Sequence, residues 1–213
     1  MDPNYIKDLE ACVKRMLIPM RDLPFNVIIK SISGNKVIPF QGEDNLIKLL
    51  KKSFSEAGVK ANVKGIEAER ANEVGNKIEP YVKDSLNNNK IEADVPKNKS
   101  GKRIAAGYPD ILFSNKNKYY YLECKTYNQK NINTTQRSFY FSPSNNFKIT
   151  KDAPHLMVAF QIIKRGDRYY VEHWRLYSLE NLKVDLKHEF NQSNRKLYGD
   201  KSYLKLIEEE EIK

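Results

Sequence analysis

Cysteine is scarce in this 213-residue sequence, and no apolar run in it is long. Its two cysteines, Cys12 and Cys124, are too few for a disulfide framework or a cysteine-rich zinc site. The longest apolar stretch, residues 155–163, is far shorter than the roughly 20 residues needed to cross a bilayer. The N-terminus is polar and acidic and lacks the apolar segment of a signal peptide. We therefore expect a soluble cytoplasmic protein with no membrane partner.

Residues for several common catalytic sites are also lacking. The three histidines, His155, His173 and His188, do not have the spacing of zinc ligands. We find neither a Ser–His–Asp pattern nor a glycine-rich loop that would hold phosphates. Carboxylates and lysines are the groups that remain to carry chemistry.

Positive charge, by contrast, is abundant. The chain has 37 Lys and Arg against 27 Asp and Glu, a net charge of +10. Such a surplus favours a polyanionic partner, because each phosphate that is neutralised releases condensed counterions. A lysine-rich surface that only meets solvent is the alternative on composition alone. The acidic run at residues 208–211 makes the rest of the chain more basic still.

Apolar periodicity predicts helices around a central block of strands. Helices are predicted over residues 4–16, 43–58 and 66–89, and strands over 111–113, 118–127, 155–163 and 168–177. Residues 27–40 are predicted to form a hairpin of two short strands about a turn at Gly34 and Asn35. This order indicates an α/β or α+β fold in one domain, 1–213. Within it we expect an N-terminal helix and hairpin (about 1–60), a core (about 65–177) and a C-terminal extension (178–213).

The strand at residues 118–127 contains charges where a buried strand would be apolar. Because side chains alternate along a strand, Glu123 and Lys125 share one face, while Leu122 and Cys124 share the other. Asp110 begins the preceding strand, so a hairpin would bring it near Glu123. An exposed edge where the charges meet solvent is the alternative. Two carboxylates beside a lysine would suit Mg²⁺, which takes one or two protein carboxylates plus water and phosphate oxygens.

These residues carry a resemblance to a known family. Pro109–Asp110 followed by Glu123–Cys124–Lys125 resembles the PD-(D/E)-x-K motif of the nuclease superfamily that includes most type II restriction endonucleases. The resemblance implies a restriction-endonuclease-like fold with a central mixed β-sheet flanked by helices. It also implies that Asp110, Glu123 and the main-chain carbonyl of Cys124 bind one or two Mg²⁺ ions, and that Lys125 orients the attacking water.

The same nucleases commonly carry a glutamate on an earlier helix, often in a G-x-x-x-E pattern. The residues from Gly75 to Glu79 match this pattern. By resemblance, Glu79 would complete the acidic cluster or bind a second metal ion. Glu73 is the alternative, and a solvated helix carboxylate is another. Pro80, directly after Glu79, leaves the geometry of the helix open.

Polar and basic side chains near the motif are candidates for contacts with base edges and phosphates. Arg137 is the best single candidate for a base contact, and an ordinary polar loop is the alternative for its segment. The candidates before the motif, after it and near the C-terminus are Lys99, Lys102 and Arg103; Asn131, Asn133, Gln136, Arg137 and Lys148; and Asn194 and Arg195.

The long stretch after Lys125 exceeds what a minimal resolvase core needs and favours a restriction enzyme. We therefore expect a Mg²⁺-dependent type II restriction endonuclease that hydrolyses double-stranded DNA at a short specific sequence. A repair nuclease or Holliday-junction resolvase, or a non-catalytic nucleic-acid-binding module, is the alternative. The resemblance further implies a prokaryotic homodimer and a companion DNA methyltransferase.

Overall fold

Five α-helices and eight β-strands make up the described part of the computed structural model, which covers residues 2–104, 107–135, 139, 141, 146–188, 191–198, 207–208 and 210. The helices are α1 (Pro3–Met16), α2 (Phe25–Ser33), α3 (Asp44–Lys64), α4 (Ala71–Asn88) and α5 (Asn194–Tyr198). The strands are β1 (Met20–Pro24), β2 (Ile66–Glu67), β3 (Glu92–Asp94), β4 (Ile111–Asn115), β5 (Lys118–Tyr127), β6 (His155–Arg165), β7 (Arg168–Ser178) and β8 (Lys183–Leu186).

The chain divides into two compact units. The larger one is Leu23–Val184, and the smaller one combines Met1–Asp22 with Asp185–Lys213. The motif at residues 109–125 lies wholly within the larger unit. Among the described helices, none is both long and apolar enough to cross a membrane.

A six-stranded mixed sheet forms the centre of the larger unit. Its strand order is β2-β7-β6-β5-β4-β3, and β5 and β6 pair in parallel while the other neighbours are antiparallel. The expected hairpin is confirmed: β4 turns into β5 through Lys116 and Asn117, both at positive φ. Strand β6 likewise turns into its antiparallel neighbour β7 at Gly166.

Helices pack on both faces of this sheet. On one face, buried Leu50 and Phe54 of α3 and Ile78 of α4 form a core with Leu122 and Cys124 of β5. On the other, side chains of α2 pack against the side of β5 that carries Tyr121; this second cluster consists of Phe25, Ile29, Tyr108, Tyr121, Ile149, Ala153 and Leu179. The predicted fold class, a mixed sheet flanked by helices, is therefore confirmed.

The hairpin predicted over residues 27–40 is wrong, because its first half is helix α2. A run of β-branched residues suggested a strand, yet Phe25, Ile29 and Ser33, spaced by four, are all buried and define a helical face. Gly34 ends the helix at φ 79°, and its N–H donates to the carbonyl of Lys30 at 2.8 Å. Burial of one face overrides the strand preference of the β-branched residues.

The predicted ends of α3 and α4 also differ. Gly58 lies inside α3, where a Cβ would stand 3.3 Å from Cγ1 of Val171, so this glycine permits close packing on β7 rather than stopping the helix. The helix ends instead at Gly65, with φ 66°. Residues before Ala71 are not helical, because β2 pairs with β7. Helix α4 runs through Pro80, which is exposed.

Candidate active site

Asp110 and Glu123 come together where β4 begins. The antiparallel register sets Ile111 opposite Leu122, which places Asp110 level with Glu123 on the neighbouring strand. An Oδ2 atom of Asp110 accepts a hydrogen bond from the main-chain N–H of Cys124 at 2.8 Å. The structure thus brings together the two carboxylates that the spacing predicted to converge.

Glu123 and Lys125 form an ion pair on the same face of β5. Lys125 Nζ lies 2.5 Å from Glu123 Oε1, and the Glu123 side chain is 3% exposed against 25% for Lys125. The other carboxylate oxygen, Glu123 Oε2, is buried and accepts no hydrogen bond from the described residues. A buried, unpartnered carboxylate oxygen is costly unless a donor or a cation reaches it.

The electrostatics of the site are those of crowded, desolvated carboxylates. Burial raises the pKa of Glu123 to about 7, and the negative charge of Asp110 adds to the rise. Burial also raises the pKa of Asp110, although the Cys124 N–H and the nearby lysines oppose this. Burial disfavours the charge of Lys125, but Glu123 and Asp110 outweigh it and raise the pKa of the ammonium. An added cation would stabilise the ionised carboxylates.

Helix α4 contributes Glu79 rather than Glu73 to this environment. A Cβ on Gly75 would lie 3.7 Å from Thr126 Oγ1, so α4 passes close to β5 at this point. Burial and the charge of Asp110 raise the pKa of Glu79 to about 7. Glu73 instead accepts a hydrogen bond from the N–H of Glu69 at 3.2 Å.

Larger clusters of metal-binding side chains are absent from the described residues. There, no group of three or more His, Cys, Asp and Glu side chains is arranged to hold a metal ion. Glu79 therefore does not complete a three-carboxylate set with Asp110 and Glu123. The side chain of Cys124 is buried on the opposite face of β5, as the alternation predicted.

Lys148, predicted as a DNA contact, is buried in this structure. Only 2% of the surface of Lys148 is exposed, so its side chain is not accessible to a DNA phosphate. Its positive charge acts on Asp110, Glu123 and Glu79. Lys148 therefore does not reach the surface in this structure, and its contact with DNA stays a prediction.

A buried Tyr–His pair next to Asp110 was not predicted from the sequence. Tyr108 Oη lies 2.6 Å from Nδ1 of His155, and the two rings stack with centroids 5.8 Å apart. Burial lowers the pKa of His155 to about 3, so the ring is neutral. It packs against the rings of Phe25, Tyr108 and Tyr121. Tyr108 directly precedes the Pro–Asp of the motif, the one sequence signal that could have suggested its place.

The predicted basic residues before the motif lie on a small hairpin. The main chains of Lys97 and Arg103 form an antiparallel β-bridge across it. Asn98 Oδ1 accepts hydrogen bonds from the main-chain N–H groups of Ser100 and Lys102. Lys99 and Lys102 are exposed, whereas Arg103 forms an ion pair with Asp94.

A basic cleft lies between this hairpin and the segment after Lys148. Its volume is about 540 Å³, and it is lined by Asp94, Val95, Lys97, Asn98, Lys99, Gly101, Leu112, Thr150 and Lys151. Leu112 of β4, two residues beyond Asp110 in the sequence, is part of this lining. The Nζ of Lys151 stands 4.1 Å from the ring centroid of Tyr119. Sequence reasoning missed Lys151.

The remaining predicted DNA contacts are scattered. Asn131 and Asn133 are exposed just beyond the end of β5. Asn194 and Arg195 are exposed on α5, in the smaller unit. Gln136 and Arg137 lie outside the described residues, so the structure does not place them.

Comparison with known proteins places this chain among the type II restriction enzymes. Residues 18–201 match the type II restriction enzyme MjaV family, and the chain belongs to that family. Type II restriction enzyme MjaV of Methanocaldococcus jannaschii is 41% identical over 218 residues, which cover 92% of this chain and 94% of that relative. No solved structure matches the chain. The prediction of a type II restriction endonuclease is confirmed at the level of the family.

Proposed function

We propose that the chain is a Mg²⁺-dependent endonuclease of the PD-(D/E)-x-K type that hydrolyses double-stranded DNA at a short specific sequence. The observation that carries this proposal is the convergence of Asp110 and Glu123 beside Lys125, where β4 and β5 pair. Membership of a restriction enzyme family supports the substrate. The carboxylate–lysine cluster supports hydrolysis by a metal-assisted attack of water.

The carboxylates fit a divalent cation. Glu123 Oε2 is buried without a hydrogen-bond partner among the described residues, and the pKa of Glu123 is raised to about 7. Asp110 and Glu123 would hold Mg²⁺, with the main-chain carbonyl of Cys124 as a further ligand. This set matches the one or two carboxylates that Mg²⁺ takes in proteins. When bound, the ion supplies Lewis-acid stabilisation of charge on the phosphate.

Lys125 is proposed to orient the attacking water. Its side chain is 25% exposed and lies at the border between buried Glu123 and solvent. The ammonium group can donate a hydrogen bond to a water that enters there and align it with the phosphorus atom. The same charge stabilises the negative charge that develops on the phosphate oxygens.

The DNA backbone would follow the basic cleft. Lys97, Lys99 and Lys151 line it, together with Leu112 of β4, the strand that begins just after Asp110. Asn131 and Asn133, exposed after β5, are proposed to face base edges. A companion methyltransferase that protects the same sequence, in a prokaryotic cytoplasm, belongs to the same proposal.

Helix α1 is the proposed contact between two copies of the chain. Two-fold pairing would place one active site on each DNA strand. The helix has no buried residue, and an apolar seam with coiled-coil spacing runs along it: Tyr5, Leu9, Cys12 and Met16. Asp8 and Glu10 precede Lys14 and Arg15, a charge order that suits antiparallel pairing with a second copy.

Exposed Cys12, at the middle of that seam, reports this pairing directly. A short bis-maleimide should link two chains through Cys12 at micromolar protein and fail after Leu9→Lys. Crosslinking that is indifferent to Leu9→Lys, or a monomer with and without DNA, would contradict the proposed contact. Docking of the chain's own C-terminal residues on α1 is the competing outcome.

The proposed function is tested by digestion of a fully sequenced, unmethylated DNA with Mg²⁺, followed by sequencing of the fragment ends. Discrete ends that share one short sequence are expected, with no cleavage in EDTA. Random ends would indicate a non-specific or structure-selective nuclease. DNA binding without cleavage of either methylated or unmethylated DNA would support the non-catalytic alternative.

A further inference from the structure

Lys148 is an unusual residue for its position. Lys148 lies outside the motif, and only 2% of its surface is exposed to solvent. Lysine is almost never fully buried unless anionic groups accompany it. Here the anionic groups are Asp110, Glu123 and Glu79, on all three of which the charge of Lys148 acts.

The segment that carries Lys148 is fixed to the catalytic strand. Tyr121 Oη accepts hydrogen bonds from the main-chain N–H groups of Thr150 at 2.8 Å and Lys151 at 3.2 Å. Tyr121 is fully buried and lies two residues before Glu123, on the same face of β5. Ile149, also fully buried, accepts a hydrogen bond from Asn35 Nδ2 at 3.0 Å through its carbonyl. The position of Lys148 is therefore set by the strand that presents Glu123.

The two lysines of the site differ in their surroundings. Lys125 is partly exposed and is paired with one oxygen of Glu123. Lys148 is enclosed: burial lowers the pKa of its ammonium group, and the negative charges of Asp110, Glu123 and Glu79 partly oppose this. Without Lys148, three acidic side chains would face a single ammonium group at the edge of the site.

We propose that Lys148 is a positioning residue of the active site, whose buried ammonium offsets the repulsion among Asp110, Glu123 and Glu79 before metal and DNA bind. This rests on the proposed function, because it takes Asp110 and Glu123 as the Mg²⁺ ligands. A fixed positive charge beside these ligands also opposes an incoming cation. Lys148 therefore lowers the affinity for Mg²⁺ while it keeps the carboxylates in register.

The test is Lys148→Met, which keeps an unbranched apolar stem and removes the charge. Calorimetric titration of the DNA-free protein with Mg²⁺ at about pH 8, above the pKa of about 7 of Glu123 and Glu79 and well below the ordinary pKa of lysine, should give a dissociation constant lower by roughly tenfold or more. Cleavage at saturating Mg²⁺ should be slower, because the carboxylates are less well held. Lys148→Arg, which keeps the charge, should bind Mg²⁺ within about twofold of the wild type.

Lys36→Met is the matched control. Lys36 is an exposed lysine next to Asn35, so the same substitution there removes a charge without touching the carboxylates. Its Mg²⁺ affinity should equal that of the wild type. If Lys148→Met binds Mg²⁺ with unchanged affinity, or more weakly together with a lower melting temperature, Lys148 only packs and the inference is overturned.

A double variant keeps the inference testable if Lys148→Met does not fold. Glu79→Gln combined with Lys148→Met removes one charge of each sign and should restore both folding and the wild-type Mg²⁺ affinity. A double variant that stays unfolded would overturn the inference. A wild type that neither binds Mg²⁺ nor cuts DNA would instead refute the proposed function, so the two failures are distinguishable.

Discussion

Strand β5 presents an apolar face to helices α3 and α4 and a charged face to the segment that carries Lys148. On the first face, Leu122 and Cys124 are enclosed by hydrocarbon, and burial of such a side chain stabilises the fold by about 1.5–3 kcal/mol. On the second, Glu123 is equally buried but ionisable, and its desolvation opposes folding. One strand thus provides stability on one side and holds reactive groups in an unfavourable environment on the other.

The largest expected effect is on the charged face. Asp110→Asn should slow DNA cleavage by roughly 10²–10³-fold or more, because it removes a metal ligand, while DNA binding in Ca²⁺ is retained. Single-turnover cleavage measures the first and fluorescence anisotropy the second. The control is Asp84→Asn, an exposed aspartate on α4, which should cut at the wild-type rate. Wild-type cleavage by Asp110→Asn would remove Asp110 from the site.

The apolar face should respond in stability alone. Leu122→Ala leaves a cavity between β5 and the helices and should lower the free energy of unfolding by about 2–5 kcal/mol. Urea unfolding measures the loss. Cleavage per folded molecule, measured well below the melting temperature, should stay near that of the wild type. A strong loss of cleavage in fully folded Leu122→Ala would show that the two faces are not separable.

The raised pKa of Glu123 predicts how stability depends on pH. The native carboxyl, with a pKa of about 7, holds its proton where the unfolded one, near 4.5, has lost it. Between these values the native state binds more protons, so the free energy of unfolding of the metal-free protein falls as pH rises. Glu79, also at about 7, acts with the same sign.

Urea unfolding in EDTA across this window measures the slope, which Glu123→Gln combined with Glu79→Gln should flatten. Cleavage by the wild type should change in the opposite direction and rise through about pH 7, since only ionised carboxylates bind Mg²⁺ well. Stability that increases over the window would contradict the assigned environment of Glu123.

The smallest expected effect is on the salt dependence of DNA binding at the edge of the charged face, where Lys151 lies over the ring of Tyr119. Replacing Lys97, Lys99 and Lys151 by Ala should reduce the slope of log affinity against log salt by roughly 2–3, about 0.9 for each phosphate that the protein no longer neutralises. The matched control replaces the exposed Lys48, Lys51 and Lys52 of α3. Equal changes in both triple variants would mean that the cleft does not follow the DNA.

Local patterns in the sequence predicted the parts of the site that depend on local geometry. The two-residue period of a strand was enough to separate Glu123 and Lys125 from Leu122 and Cys124. The short connection from β4 to β5 was enough to bring Asp110 to Glu123. The roles of these residues remain predictions.

Features decided by distant contacts could not be predicted in the same way. The burial of Lys148 depends on Tyr121 and Asn35, which bind its neighbours from far along the chain. Helix α2 forms because Phe25 and Ile29 reach a cluster whose other members lie more than seventy residues away. Gly58 stops no helix because it faces Val171. Tertiary packing, which is invisible in a short window of sequence, determines each of these outcomes.

The parallel pairing of β5 and β6 has a topological consequence. Two parallel neighbours cannot be joined by a tight turn, so the chain must travel back along the strand before it can begin the next one. Residues 128–154 make this return, and Phe139, Phe141 and Ile149 pack on the same side of β5 as Tyr121. The connection that the sheet requires thus also carries Lys148, whose charge acts on Glu123, and Lys151, which lies over the ring of Tyr119.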